Sequence, residues 1–406
     1  MIITMKDIKI IDMPMGEGKT TGLINYMNNH PDNKYLFITP FLDEVERIIK
    51  GCKDLDFAEP NDKHSKLSDL KNLISNGRNI ASTHALFSII DSNVVELLYA
   101  NGYILVLDEV LELIEPLPVS TKDIQLLLDG NIIRVDETGR VYVSDKTYKG
   151  KDCKFSREIN AIKNQNVYYV DNTLLLCIFN TSIFEAFEDV MVLTYMFDGS
   201  LMKSYFELYD IKYSYYKIVN NEIIEGKFDD SEFINRVREL IHIYDGRLNN
   251  IGEKKTALCF NWYTDRKYRN EHRILKNNMY NYLKNIAKTT SKEAMWSTFT
   301  GDRDCIKEYF APPSYAKGFV ACNSRATNKF ANRNTLIYSV NVFLNPYIVK
   351  YFSRKGVKLN EENYALSQLL QWIWRSAIRN NEEINIYIPS SRMRLLLKAY
   401  LNKETD

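Results

Sequence analysis

The sequence predicts an α/β protein built from two parallel-sheet domains in tandem, with a β-hairpin-containing insertion in the first. Three observations carry this. The chain has 406 residues, too many for one typical domain. Apolar runs of strand length alternate with helical patterns in two separate series, the signature of parallel sheets covered on both faces. In the first series, the runs end in residues suited to ligands: Lys19, Thr39, Thr83, Asp108 and Thr194 lie at or just beyond strand ends. Open parallel sheets bind ligands beyond the carboxyl ends of their strands.

The first series opens with "IKIID" at 8–12, a short strand that runs into the turn "MPMGEGKT". "TGLINYMNN" then reads as a helix with Leu23, Ile24 and Met27 on one face. "KYLFITP" is the second strand, and the helix after Pro40 turns Leu42, Val45, Ile48 and Ile49 inward. "NIAST", "YILVLDEV" and "DVMVLT" are the next strands. The long gap between the last two contains "NIIRVDETGRVYV", a hairpin with its turn at Asp136–Gly139, and a second hairpin in "NVYYVDNTLLLCIF". The first hairpin fits a strand-separating wedge, a docking element or a packed decoration equally well.

The second series begins near residue 254, with "KTALCF", "GFVACN", "NTLIYSVN" and "INIYI" as its strands. The expected division is 1–205 for the first domain with an insertion at about 112–185, 206–253 as a connection, and 254–406 for the second domain.

Composition narrows the functional classes. The net charge is +1, so a polyanion must be met by local patches. The six cysteines are scattered without a C-x-x-C pair, which argues against a disulfide framework or zinc cluster. No apolar run is long enough to span a bilayer, so a cytoplasmic protein without membrane partners is expected.

The chemistry gathers at strand ends. Gly16 and Gly18 allow a tight backbone path, and amides at a helix start are ready donors to phosphate. Lys19 would reach the β- and γ-phosphates of ATP and Thr20 would hold Mg²⁺, with Glu17 and Thr21 completing the loop. Asp108 and Glu109 end an apolar strand, an expensive placement that a metal–nucleotide offsets. Asp108 would support the magnesium shell, and Glu109 would orient or deprotonate the attacking water. In "YALSQLLQWIWRSAIRNN" the apolar residues follow the helical period from Leu366 to Ile378. Gln371, Arg375 and Arg379 fall on another face. The arginines are four apart, so both can address one target, as an arginine finger does.

Taken in order, these stretches resemble a superfamily 2, DEAD-like helicase of the compact bacteriophage type. "MGEGKT" resembles motif I, "ITPFLDEVERI" motif Ia, "STHALF" the next nucleic-acid motif, "VLDEVL" motif II and "VLTYMF" motif III. "ALCFNWYTDR" stands at motif IV, "NSRATNKFANRNTLIY" at motif V and "QLLQWIWRSAIR" at motif VI. The resemblance implies two RecA-like domains of the P-loop NTPase fold that clamp ATP and Mg²⁺ between them, with Gln371, Arg375 and Arg379 from the second. It implies single-stranded or forked DNA, or RNA, across the top, contacted by Thr39, Pro40, Thr83, His84, Arg325, Thr327 and Asn328. It further implies work in phage replication or recombination beside other replication proteins. The chain departs from the pattern at DEVL, at Tyr195, at Met13, at Trp374, and in the three residues between Arg375 and Arg379. A packaging-motor ATPase and a non-enzymatic helicase-like scaffold or inhibitor are the competing readings. The stretch "DRKYRNEHRILKNNMYNYLKNIAK" fits both a single-strand binder and a solvated amphipathic helix.

Overall fold

The computed structural model describes residues 7–63, 65–144, 154–300, 306–323 and 329–403. It divides into two compact units. The first spans residues up to 13, 18–228 and 344–359; the second takes 14–17, 229–343 and 360 onward.

The first unit starts with β1 (Ile8–Asp12), α1 (Lys19–Asn29), β2 (Lys34–Thr39), α2 (Leu42–Gly51), β3 (Ile80–Thr83) and β4 (Tyr103–Asp108). An insertion follows with β5 (Ile114–Pro116), β6 (Ile133–Val135), β7 (Val141–Val143), β8 (Asn166–Val170) and β9 (Leu174–Ile178). The main sheet resumes with β10 (Asp189–Thr194), β11 (Tyr213–Val219) and β12 (Glu222–Glu225). Its order is β12-β11-β1-β10-β4-β2-β3, parallel except at β12. The inner strands bury both faces, which is why they read as unbroken apolar runs. The β11–β12 edge is half exposed and turns through Asn220 and Asn221, at φ 51° and 67°. Two left-handed residues in a two-residue loop are what such a hairpin needs, and Asn tolerates them.

Helix α1 lies close over β11. A Cβ on Gly22 would sit 2.6 Å from Cγ2 of Ile218. Gly22→Ala should therefore cost about 1–3 kcal/mol by overpacking, despite alanine's better helix propensity, and urea unfolding checks it. A variant as stable as the parent would show that Ile218 moves freely.

The insertion has its own core, where Ile133 and Val141 of the first hairpin join Leu117, Ile124, Val167 and Leu175. One hairpin face is thus packed, with Asp136 closing its turn by accepting from the amides of Thr138 and Arg140. The second predicted hairpin is β8–β9. The helix Pro346–Arg354 belongs to this unit: Lys350 and Arg354 both hold Asp171, and Tyr351 packs on Tyr168.

The second unit carries β13 (Ile241–Ile243), β14 (Ala294–Ser297), β15 (Thr335–Tyr338) and β16 (Ile384–Tyr387) in a parallel sheet of order β13-β16-β15-β14. The predicted fold class holds: two parallel α/β sheets, with a hairpin-bearing insertion in the first.

Several details differ. "KTALCF" is a turn leading into the helix Phe260–Thr264, because Leu258 takes a left-handed φ of 64° that no strand tolerates. "GFVACN" forms no strand: it pairs with β14 as a single bridge, Phe319 with Trp296. Two strands of this sheet, β14 and the three-residue β13, lie outside the expected runs. Residues 206–253, expected as a connection, instead supply β11 and β12 to the first sheet and β13 to the second. Leu42, expected inward, is 54% exposed; Val45 and Ile48 carry the packing of α2. No helix among the described residues is long and apolar enough to cross a membrane.

Candidate functional site

The register brings the predicted strand ends to one edge of the first sheet. Asp12 pairs with Thr194, Leu193 with Asp108, Ile38 with Leu107, and Thr39 with Thr83. The loop after β1 bends through Gly16 and Gly18, at φ 85° and 78°. Gly18 caps α1 in the left-handed conformation and, having no side chain, offers no cap bond of its own to the helix start. The amides there lie at the positive end of an 11-residue helix, the kind of donor set that suits an anion.

Met13, the residue that departs from the loop pattern, is 2% exposed and packs under α1. Its sulfur accepts from the Ile218 amide at 3.4 Å, where β11 runs past the end of β1. Its carbonyl accepts from Lys19 Nζ at 2.6 Å. The position thus needs a backbone oxygen and an apolar filler, and methionine supplies both.

Asp108 accepts from Thr39 Oγ1 at 3.1 Å. Burial, then the neighbouring Glu109 and Glu44 carboxylates, push it up to about 7, while Thr39 and Lys19 pull the other way. Glu109 has a left-handed φ of 71°, and its amide donates to Leu193 O at 2.9 Å. A non-glycine residue held there costs about 1 kcal/mol or more, the kind of strain that gathers at functional sites. Asp12 accepts from the Phe197 amide at 3.2 Å, and burial pushes its carboxyl up to about 6 against the pull of that amide and Lys19. Its other oxygen, Oδ1, is buried with no hydrogen-bond partner. Asp12 and Glu44 did not stand out from the sequence; the only hint was a polar residue closing the "IKIID" strand.

Other expected residues have different environments. Thr20 is partly buried at the start of α1. The Thr21 hydroxyl accepts from Arg47 of α2 at 2.9 Å, so it faces α2. Thr39 is fully buried, its hydroxyl spent on Asp108. His84 donates from Nε2 to the Asp108 carbonyl at 3.0 Å, a bond that fixes the end of β4. Pro40 and Thr83 are partly exposed at the same edge. Arg325, Thr327 and Asn328 lie outside the described residues.

In the second unit, Arg236 pairs with Glu17, and Trp374 lies against Gly16, where an added Cβ would come within 3.1 Å of the ring. Gln371 is in the last turn of the helix Glu361–Ile373. That helix stops two residues before Arg375, correcting the expected helical pairing of the arginines. The Ser376 hydroxyl takes the Ile373 carbonyl at 2.6 Å, the Ser376 backbone is extended, and the Ala377 amide turns to Arg333 O at 2.8 Å. Arg375 is 5% exposed, with its charge beside Tyr338 and Cys322, whereas Arg379 is exposed on a separate 3₁₀ turn. They do not share one helical face.

A glycine-bent loop before a helix, with a carboxylate ending the parallel strand two places away in the same sheet, gives a P-loop-type α/β fold with tandem sheets. Its overall fold matches that of Xpd4 from S. tokodaii, at 16% identity and a TM-score of 0.51, over 97% of this chain and 93% of that one. The family model "YonV C-terminal Rossmann-like domain" matches residues 235–401. The SPbeta prophage-derived protein YonV of Bacillus subtilis (strain 168) is 38% identical over 417 residues, covering 98% of this chain and all of that protein. The chain belongs to the YonV family.

Proposed function

We propose that this protein is a nucleic-acid-dependent ATPase of the helicase or translocase type. One observation carries the reading: Asp108 ends β4 and Glu109 follows it, on the same sheet edge as Lys19 and the Gly16–Gly18 loop, and the Lys19 charge acts on Asp108. Unlike a structural acidic cap, this arrangement leaves Asp108 pushed up to about 7 and a buried Asp12 oxygen without a partner. A cation and phosphates satisfy such a site. Thr20 and Asp108 are the residues that fit Mg²⁺, which supplies positive charge against the developing phosphoryl oxygens.

The α1 amides and Lys19 bind and orient the β- and γ-phosphates. Glu109, held in its strained conformation, positions the attacking water and takes its proton. The resemblance gives Arg375 and Arg379 the part of transition-state charge stabilisers, and Gln371 a part in nucleotide recognition. Arg325, Thr327 and Asn328, with Pro40 and Thr83 at the sheet edge, are assigned to the nucleic-acid strand. DNA is the favoured substrate, in phage replication or recombination, since the YonV relative is prophage-derived.

The test is phosphate release from ATP with single-stranded, forked and duplex DNA and RNA. Stimulation of about tenfold or more by at least one of them is expected, the scale of ordinary coupling between two sites. A rate indifferent to all of them would remove nucleic acid from the reading.

A further inference from the structure

The carboxyl edge of the second sheet carries a feature that the nucleotide site does not use. Phe260 is 47% exposed at the start of its short helix, and Phe343 is 37% exposed beyond the end of β15. A half-exposed phenylalanine has no polar tip to keep in water, so each leaves apolar ring surface to the solvent.

Both rings are rigidly mounted. Phe260 meets Phe299 edge-to-face with centroids 5.6 Å apart, and Phe299 leans on the buried Tyr263 at 5.7 Å. Leu258, fully buried at φ 64°, sets the path of the loop before Phe260. Asn341, 1% exposed, is the hub: its side chain donates to Lys255 O and Ala257 O at 2.9 and 3.0 Å, and its amide to Leu258 O at 2.9 Å. Arg392 donates to Asn341 Oδ1 at 3.1 Å and stacks over Phe343 at 4.5 Å. The hub thus ties the Phe260 loop, the Phe343 loop and Arg392 into one platform.

The surroundings are cationic. Residues 254–273 hold six Lys and Arg against Asp265 and Glu271, a balance of +4 within a chain of net charge +1. Lys254, Lys255, Arg266 and Arg269 are all exposed. Preorganised flat rings beside solvated cations suit a ligand with stacking faces and a polyanionic backbone.

We propose that Phe260 and Phe343 form a base-stacking platform for single-stranded nucleic acid on the second unit, with Lys254 and Lys255 meeting its phosphates. The proposal rests on the reading of the chain as a nucleic-acid-dependent ATPase, but it makes its own claim, because binding here needs no nucleotide turnover. Stacking is sequence-tolerant, so DNA and RNA of equal length both bind.

Fluorescence anisotropy of labelled oligo-dT and oligo-U, without nucleotide, tests it on the full chain. Phe260→Ala and Phe343→Ala should each weaken binding about 5- to 100-fold with an unchanged salt slope, since only rings are lost. Phe260→Leu, which keeps apolar packing but not the aromatic face, should bind like the alanine variant, and Phe260→Trp should restore binding. Lys254→Ala/Lys255→Ala should instead flatten the salt dependence. Phenylalanine variants that bind within twofold of the parent would overturn the platform, as would a parent chain that binds neither strand. Binding that needs the rings in a chain with no ATP turnover would sink the ATPase reading and leave the platform standing.

Discussion

Lys19→Ala should lower ATP turnover by about 10²- to 10³-fold while leaving the fold intact. The size follows from removing one preorganised positive donor where phosphoryl charge develops. Stability should fall by about 1.5–3 kcal/mol at most, the net worth of a hydrogen bond from a charged donor such as the one the Lys19 ammonium makes to Met13 O. Phosphate release and a thermal melt measured on the same sample separate the two effects. Full-rate hydrolysis by Lys19→Ala would end the reading of this loop as the ATP site, and a collapse of the melt would make Lys19 a structural residue.

Asp108→Asn should abolish turnover and yet stabilise the protein at neutral pH. In the fold Asp108 keeps its proton to about pH 7, and in the unfolded chain it releases it near 3.8. Between those values the folded state binds the extra proton, so the contribution of this group to stability is fully present below about pH 4 and lost as the pH rises to about 7. The gap corresponds to about 4 kcal/mol at about 1.4 kcal/mol per pH unit, and partial solvent access reduces it to about 2–3 kcal/mol. Asparagine carries no such charge and can still accept from Thr39. The variant should therefore outlast the parent in urea at pH 8 and lose that advantage by about pH 4. Turnover should fall by about a hundredfold or more, because a group suited to hold the metal is gone. A variant less stable than the parent at pH 8 would mean that the carboxylate is well compensated without any cation. Residues kept at a cost to stability are the usual mark of a working site.

Much of this was legible in the sequence because buried parallel strands announce themselves. β2, β4 and β10 are continuous apolar runs, and their polar terminators, Thr39, Asp108 and Thr194, fall in register on one edge. The helix start at Lys19 was marked by two glycines whose left-handed φ values no other residue reaches as cheaply.

The misses are equally physical. Helical periodicity ran on past Ile373 because Ala377 and Ile378 are also buried, although the Ser376 hydroxyl and the Arg333 carbonyl break the helix between them. "KTALCF" has a strand-like composition, but its apolar residues are buried by a left-handed turn tied to Asn341, a long-range contact that no local pattern encodes. Asp12 and Glu44 became visible only once the fold set them near Lys19 and Asp108.

The helix Pro346–Arg354 has a consequence for how the chain is made. Its partner residues, Tyr168 and Asp171, leave the ribosome nearly two hundred residues earlier. The insertion must therefore wait, with an acidic, tyrosine-bearing face unclad, until most of the second sheet has been synthesised. Translation at about 5–20 residues per second makes that an interval of roughly ten seconds or more. A gene cut between residues 228 and 229 yields an amino-terminal piece that never receives this helix, and a carboxyl-terminal piece that carries it as a stray amphipathic segment. Separately expressed halves should aggregate unless residues 344–359 are grafted back onto the first.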